Sequence, residues 1–155
     1  MASRLNIVKA ASGAYRAMSQ LDHYVKNCGL ELPLIELIEI RASQINGCGY
    51  CIDMHTKNAR AAGESEQRIY LLSAWREAPC YNEREYAALE WAEALTLIAD
   101  THVPDEVYQR VRPHFTDEEL MNLTLAVGTI NTWNRVCISF RVEVGSYQPQ
   151  QTAAH

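Results

Sequence analysis

PLIELIEIRASQINGCGYCIDMH, residues 33–55, decides how the rest of the chain is read. The segment 33–45 is apolar on most of a helical circumference, which predicts a helix buried on nearly all sides. Pro33 suits the first turn of that helix, where its missing N–H costs little. Asn46-Gly47 is a pair that readily turns the chain. A second helix is expected to begin near Cys48 and run to Ala62, with Gly63 as its stop.

The remaining sequence reads the same way. Ala, Leu, Glu, Arg and Gln dominate, and no run shows the alternation of a half-buried strand. A first helix is expected over about 9–27, stopped by Gly29, and another over about 65–75. Asn82-x-x-Glu85 predicts the capped start of a helix over 82–99, with Ala88, Trp91, Leu95 and Ile98 as its core face. Pro104 opens a short helix, and Thr116-x-x-Glu119 caps a long last one reaching about Gly145. The fold class is therefore all-α: a single-domain helical bundle of about six to seven helices over residues 1–146. The polar stretch 147–155 is expected to be a disordered tail.

Composition narrows the function. The chain of 155 residues is long enough for a real core, and its net charge of −5 argues against a general electrostatic grip on nucleic acid. The start mixes Arg4, Lys9 and Arg16 into its apolar residues, and no stretch approaches the ~18 apolar residues of a membrane span. The expected compartment is the cytoplasm, where thiols stay reduced. The chain has five cysteines, an odd number, which points to a local thiol function rather than a disulfide framework.

Cys48, Cys51 and His55 fall within about 60° of one another on a helix. Gly47 and Gly49 leave the backbone free at the turn into it. Unpaired N–H groups and the positive end of the helix dipole stabilise a thiolate there. A free thiol of pKa ~8.5 is roughly 3% ionised at neutral pH, against about 75% for one at ~6.5. Three readings compete. Plain packing is a poor reason for two cysteines at a glycine-flanked helix start beside a histidine. Closed zinc sites take four ligands and this motif supplies three, so no metal and no other cofactor is expected. A redox dithiol is favoured. It needs a base, and His55 is nearest in sequence, followed by Glu36 and Glu39 on the preceding apolar helix. The residues alone do not choose between the two carboxylates.

The spacing Glu36-x11-Cys48-x2-Cys51-x3-His55 resembles the motif of AhpD-like alkylhydroperoxidases of the carboxymuconolactone decarboxylase superfamily. SQINGCGYCIDMHTKNAR, LLSAWRE, ALEWAEALT, THVPDEVY and NTWNR are similar to segments of its short members, so the resemblance covers roughly residues 8–146. It implies an AhpD-like all-helical fold and homo-oligomers, commonly trimers or hexamers. It implies a peroxidase that reduces hydrogen peroxide or organic hydroperoxides, with a cellular dithiol as reductant. By position, Cys51 matches the peroxidatic cysteine and Cys48 its resolving partner, with His55 and Glu36 as the activating relay. The family spacing selects Glu36 over Glu39. Members with well-defined peroxidase activity often carry a second histidine where this chain has Tyr50, and the decarboxylase branch lacks the cysteine pair.

The alternatives are a general thiol–disulfide exchanger and a non-enzymatic redox-sensing oligomer. Trp75, Trp91 and Trp133 are expected in the core or at subunit contacts, and His102 at the surface or a cap. Asn131, Asn134 and Arg135 are expected to anchor neighbouring helices or subunits. Cys28, Cys80 and Cys137 show no paired spacing and are expected to be inert packing residues.

Overall fold

Glycines at positive φ and side-chain caps divide the chain into helices much as the sequence predicts. The computed structural model describes residues 2–149 and contains no strand among them. Among the described residues nine α-helices follow one another: α1 Ile7–Ala10, α2 Ser12–Lys26, α3 Leu32–Asn46, α4 Gly49–Ala61, α5 Glu66–Leu71, α6 Glu83–Thr96, α7 Ile98–Thr101, α8 Asp105–Val111 and α9 Asp117–Phe140. Two 3-10 turns, Leu72–Glu77 and Arg112–His114, extend α5 and α8. The count exceeds the expected six to seven because two expected helices break, while a third is shorter than expected. The first breaks at Ala11, which leaves the helical region (φ −148°, ψ 68°), and the fifth breaks at Leu97 (φ −99°, ψ 32°). The last ends at Phe140 rather than near Gly145.

That last difference has a clear cause. Arg141 adopts the left-handed conformation (φ 52°) and donates to the carbonyl of Ile138, while the N–H of Val142 reaches the carbonyl of Cys137 at 3.0 Å. This is the Schellman closure, here without glycine, and Val142 packs beside Cys137 as the motif's hydrophobic contact. Both expected capping boxes form, Asn82 with Glu85 and Thr116 with Glu119. Of the expected disordered tail, 147–155, residues 150–155 lie outside the described residues, and Tyr147 donates to Asn58 Oδ1 at 2.7 Å.

α3 is the central element and touches α4, α6 and α9. Ile35, Leu37, Ile38 and Ile40 are wholly buried on it, as its all-round apolar sequence requires. Polar side chains join its C-terminal end to α9. Asn46 donates to Asn131 Oδ1 (2.9 Å) and Asn134 Oδ1 (2.8 Å), and Asn134 donates to Ser43 Oγ at 3.0 Å. Asn131 also donates to Thr96 on α6. The expected anchoring role of the two asparagines is thus met within the chain, while Arg135, among the described residues, bonds back to Asn131. Trp75 donates to the buried Glu93, which also pairs with Arg41 and Arg76, and Trp91 donates to Thr124.

Asn134→Ala removes one partner from a buried network and leaves Asn46 and Ser43 short of bonds. The expected loss is about 2 kcal/mol, lowering Tm by about 4–8 °C for a chain of this size. A thermal melt unchanged within a degree would show that the clamp contributes nothing.

Candidate active site

Cys48 belongs to two helices at once. Its N–H bonds the carbonyl of Ser43 at 2.9 Å, closing α3 through Gly47 at φ +70°, a conformation that favours glycine. Its sulfur then caps α4 by accepting the N–H of Cys51 at 3.4 Å. Cys48 and Cys51 are joined as a disulfide with Cα atoms 5.4 Å apart. Both are only 1% exposed.

The two sulfurs face different spaces. Cys51 shares a cavity of about 230 Å³ with His55, Tyr50, Met54, Ile130 and Trp133. Cys48 lines a wider one of about 740 Å³ with Gly49, Arg141 and Val144. Tyr50 lines both, and burial raises its phenol, which stays protonated at neutral pH. Trp133 is edge-on to Tyr15 at 5.6 Å, so one of the three tryptophans stands at the site rather than in the core. His102 takes the left-handed conformation (φ 49°) that ends α7, a capping position away from the cavity of Cys51.

Behind His55 lies a cluster of charges. Nδ1 of His55 is 2.7 Å from Glu36 Oε2 and 3.2 Å from Glu39 Oε2. Lys26 Nζ reaches Glu36 at 3.3 Å and also bonds Glu39. The sequence-predicted quartet of Cys48, Cys51, His55 and Glu36 is therefore brought together. Two further residues join the quartet: Glu39, which the family spacing set aside, and Lys26, which was not foreseen. Glu39 is 1% exposed and joins Glu36 in the cluster, so family spacing does not separate the two carboxylates as cleanly as expected. Lys26 comes from α2, and nothing in its local sequence marks it.

Electrostatics follow from this packing. Burial opposes the charged form of His55, but Glu39 and Glu36 outweigh it and hold the imidazole above the ordinary histidine range. Burial likewise works against Glu36, yet its bond to His55 and the nearby Lys26 hold it below the usual carboxylate value. Glu39 is raised, because complete burial outweighs His55 and Lys26. Lys26 is raised by Glu39 and Glu36 against the cost of its burial. With Nδ1 turned to carboxylates, Nε2 of His55 is the ring nitrogen left to serve the cavity it shares with Cys51.

A third cysteine, Cys137 of α9, stands beside the pair. Its sulfur and those of Cys48 and Cys51 all lie within 4.8 Å of one another. Cys137 is buried in an apolar cluster, as a packing residue is expected to be, and it stands beside the pair because three elements, α9, α4 and the turn before it, converge here.

An all-helical bundle with a buried cysteine pair at a helix start and an acid–histidine cluster behind it defines a dithiol protein. The carboxymuconolactone decarboxylase family model matches residues 12–94, and the chain belongs to that family. It is 45% identical to the uncharacterised protein YdfG of Bacillus subtilis over 139 residues, 90% of this chain and 95% of that one. A solved structure from Agrobacterium tumefaciens superposes with a TM-score of 0.91 at 47% identity, covering 94% of this chain and 100% of that chain. That protein is of unknown function, with an AhpD role in antioxidant defence suggested for it. A segment of 45 residues is 42% identical to the alkyl hydroperoxide reductase AhpD of Bradyrhizobium diazoefficiens, 29% of this chain and 25% of that one. The AhpD-like all-α fold is thereby established.

The cluster makes a prediction about pH. Because His55 binds its proton more tightly when folded, its stabilising contribution is full below about pH 6.5 and is lost as pH rises through the higher folded value. An NMR titration should place His55 above a model histidine. Glu36→Gln or Glu39→Gln should each lower it and flatten the fall in stability over that window. A His55 midpoint that ignores both substitutions would dissolve the cluster as an electrostatic unit.

Proposed function

We propose that this protein is a thiol peroxidase that reduces hydrogen peroxide or small organic hydroperoxides through Cys51 and Cys48. The observation that carries this reading is the pairing of a buried Cys51 with a carboxylate-backed histidine in one small, largely apolar cavity. Nε2 of His55 takes the thiol proton, and Glu36 holds the imidazolium that results. The raised basicity of His55 favours this transfer. The Cys51 thiolate attacks one peroxide oxygen and the O–O bond breaks. The departing oxygen takes a proton to leave as water or an alcohol, and Cys51 is left as a sulfenic acid. The Cys48 thiol attacks that sulfur, hydroxide leaves as water with the thiol proton, and the Cys48–Cys51 disulfide forms. A cellular dithiol then reduces the disulfide and is itself oxidised. The wider cavity on the Cys48 side suits the approach of that larger reactant.

The two sulfurs are not equivalent. The cap at the start of α4 favours a thiolate on Cys48, whereas the histidine shares its cavity with Cys51. The assignment of Cys51 as the attacking sulfur rests on His55 and on likeness to the family. A cytoplasmic setting is part of the same proposal, since the disulfide must be reduced after each turnover. No helix among the described residues is long and apolar enough to cross a membrane. Assembly as a trimer or hexamer is part of the same proposal and rests on likeness to the family.

Peroxide consumption with several candidate dithiols tests the reading. Cys51→Ser should abolish it, and Glu36→Gln should slow Cys51 oxidation by about 10²-fold. Tyr50→His should raise the rate if the missing second histidine limits it. Peroxide oxidation confined to Cys48 would reverse the two roles. A wild-type protein inert to every peroxide, yet readily oxidised by disulfides, would turn the reading to general thiol exchange.

A further inference from the structure

The proposed cycle uses two sulfurs, but the site holds three. Cys137 shares a buried cluster with Cys48, Cys51, Ala42 and Ile130, and it lines both the Cys51 cavity and the Cys48 cavity. Its place is fixed from both sides along α9. Its carbonyl accepts Val142 in the closing turn, and Asn134, one turn earlier, is bonded to Ser43 and Asn46 just before Cys48. The same clamp that sets the start of α4 therefore sets the third sulfur.

We infer that Cys137 is a reserve resolving thiol, which captures oxidised Cys51 as a Cys51–Cys137 disulfide whenever Cys48 is engaged elsewhere. The inference rests on the peroxidase reading above. Cys48 is so engaged while it is joined to the reductant in a mixed disulfide, the intermediate of thiol–disulfide exchange. Cys51 is then free to meet a second peroxide with no partner, and further oxidation would carry it to sulfinic acid. In the capture step the Cys137 thiol attacks Cys51 sulfenic acid. The S–O bond breaks, an S–S bond forms, and hydroxide leaves as water with the thiol proton. The cellular dithiol that resets the main pair resets this one. Sulfurs within 4.8 Å must close to about 2.05 Å, so at most about 2.8 Å is required of side-chain rotation and helix adjustment. Burial pushes the Cys137 thiol up to about 11, so at neutral pH it keeps its proton, does not compete for peroxide and carries the proton that hydroxide needs.

The test uses Cys48→Ser in the full-length, correctly assembled protein. Peroxide should link tryptic peptide 42–57 to peptide 136–141 with the loss of two hydrogens, leaving little sulfenic acid to trap. Diamide, which oxidises thiol pairs without peroxide, should give the same link. A link with diamide alone would keep the third redox sulfur and sink the peroxidase reading. Oxidised Cys51 with Cys137 still open to alkylation, under both oxidants, would overturn the inference. Should Cys48→Ser not fold, Cys137→Ser in the otherwise native chain decides. Under repeated turnover with a dithiol present, it should accumulate Cys51 sulfinic acid several-fold faster than the native protein. Equal rates would overturn the inference.

Discussion

Two carboxylates on the apolar helix α3 set the terms for the rest of the molecule. An ionised carboxylate taken out of water costs several kcal/mol unless cations and hydrogen bonds replace the lost solvent. Glu39 is 1% exposed and Glu36 is largely covered, so α3 can be central only with counter-charges beside it. Lys26 from α2 and His55 from α4 are those counter-charges. The requirement chooses the neighbours of α3 and fixes their heights along it. It also fixes the chemistry, because a histidine held between two carboxylates is a stronger base than a free one. Fold and site here answer one electrostatic demand.

The sulfur pair is placed by backbone geometry rather than by charge. Gly47 takes a positive φ so that the N–H of Cys48 can close α3, and the same residue's sulfur then opens α4. One residue thus fixes the angle between the helix that carries the carboxylates and the helix that carries the histidine. The asparagine clamp from α9 holds the end of α3 against this turn. Buried amides are costly to leave unpaired, so the clamp resists the shear that would separate acid from base.

Much of this was legible in the sequence, and the misses share a physical reason. Caps and left-handed glycines are local, so α3, α4 and the starts of α6 and α9 fall close to where Pro33, Gly47, Asn82 and Thr116 put them. The motif spacing is local too, and Glu36, Cys48, Cys51 and His55 do meet. Lys26 ends the helix before α3 and Cys137 lies far along the chain from the cysteine pair, and in both cases only the packing of separate helices brings them in. Glu39 was visible as an oddity in an apolar helix. Pattern alone could not say which way it faces, since a helix apolar all round offers no polar side to assign it to. The closing turn at Arg141 escaped because the residue there is arginine rather than glycine.

The site also contains an opposition that sets how the disulfide behaves. Burial of Cys48 and Cys51 disfavours thiolates and so favours either neutral thiols or the disulfide. The open start of α4 works the other way, because the Cys51 N–H and the helix dipole bind a Cys48 thiolate better than a disulfide sulfur. Whatever stabilises the reduced thiolate makes the disulfide easier to reduce, as in strongly oxidising dithiol proteins. The imidazolium of His55 adds to this on the Cys51 side. Burial beside a helix start and a cation therefore covers the sulfurs without making their disulfide inert. The proposed cycle of oxidation and reset needs both properties at once, and α3, through its carboxylates and its closing glycine, supplies the geometry for each.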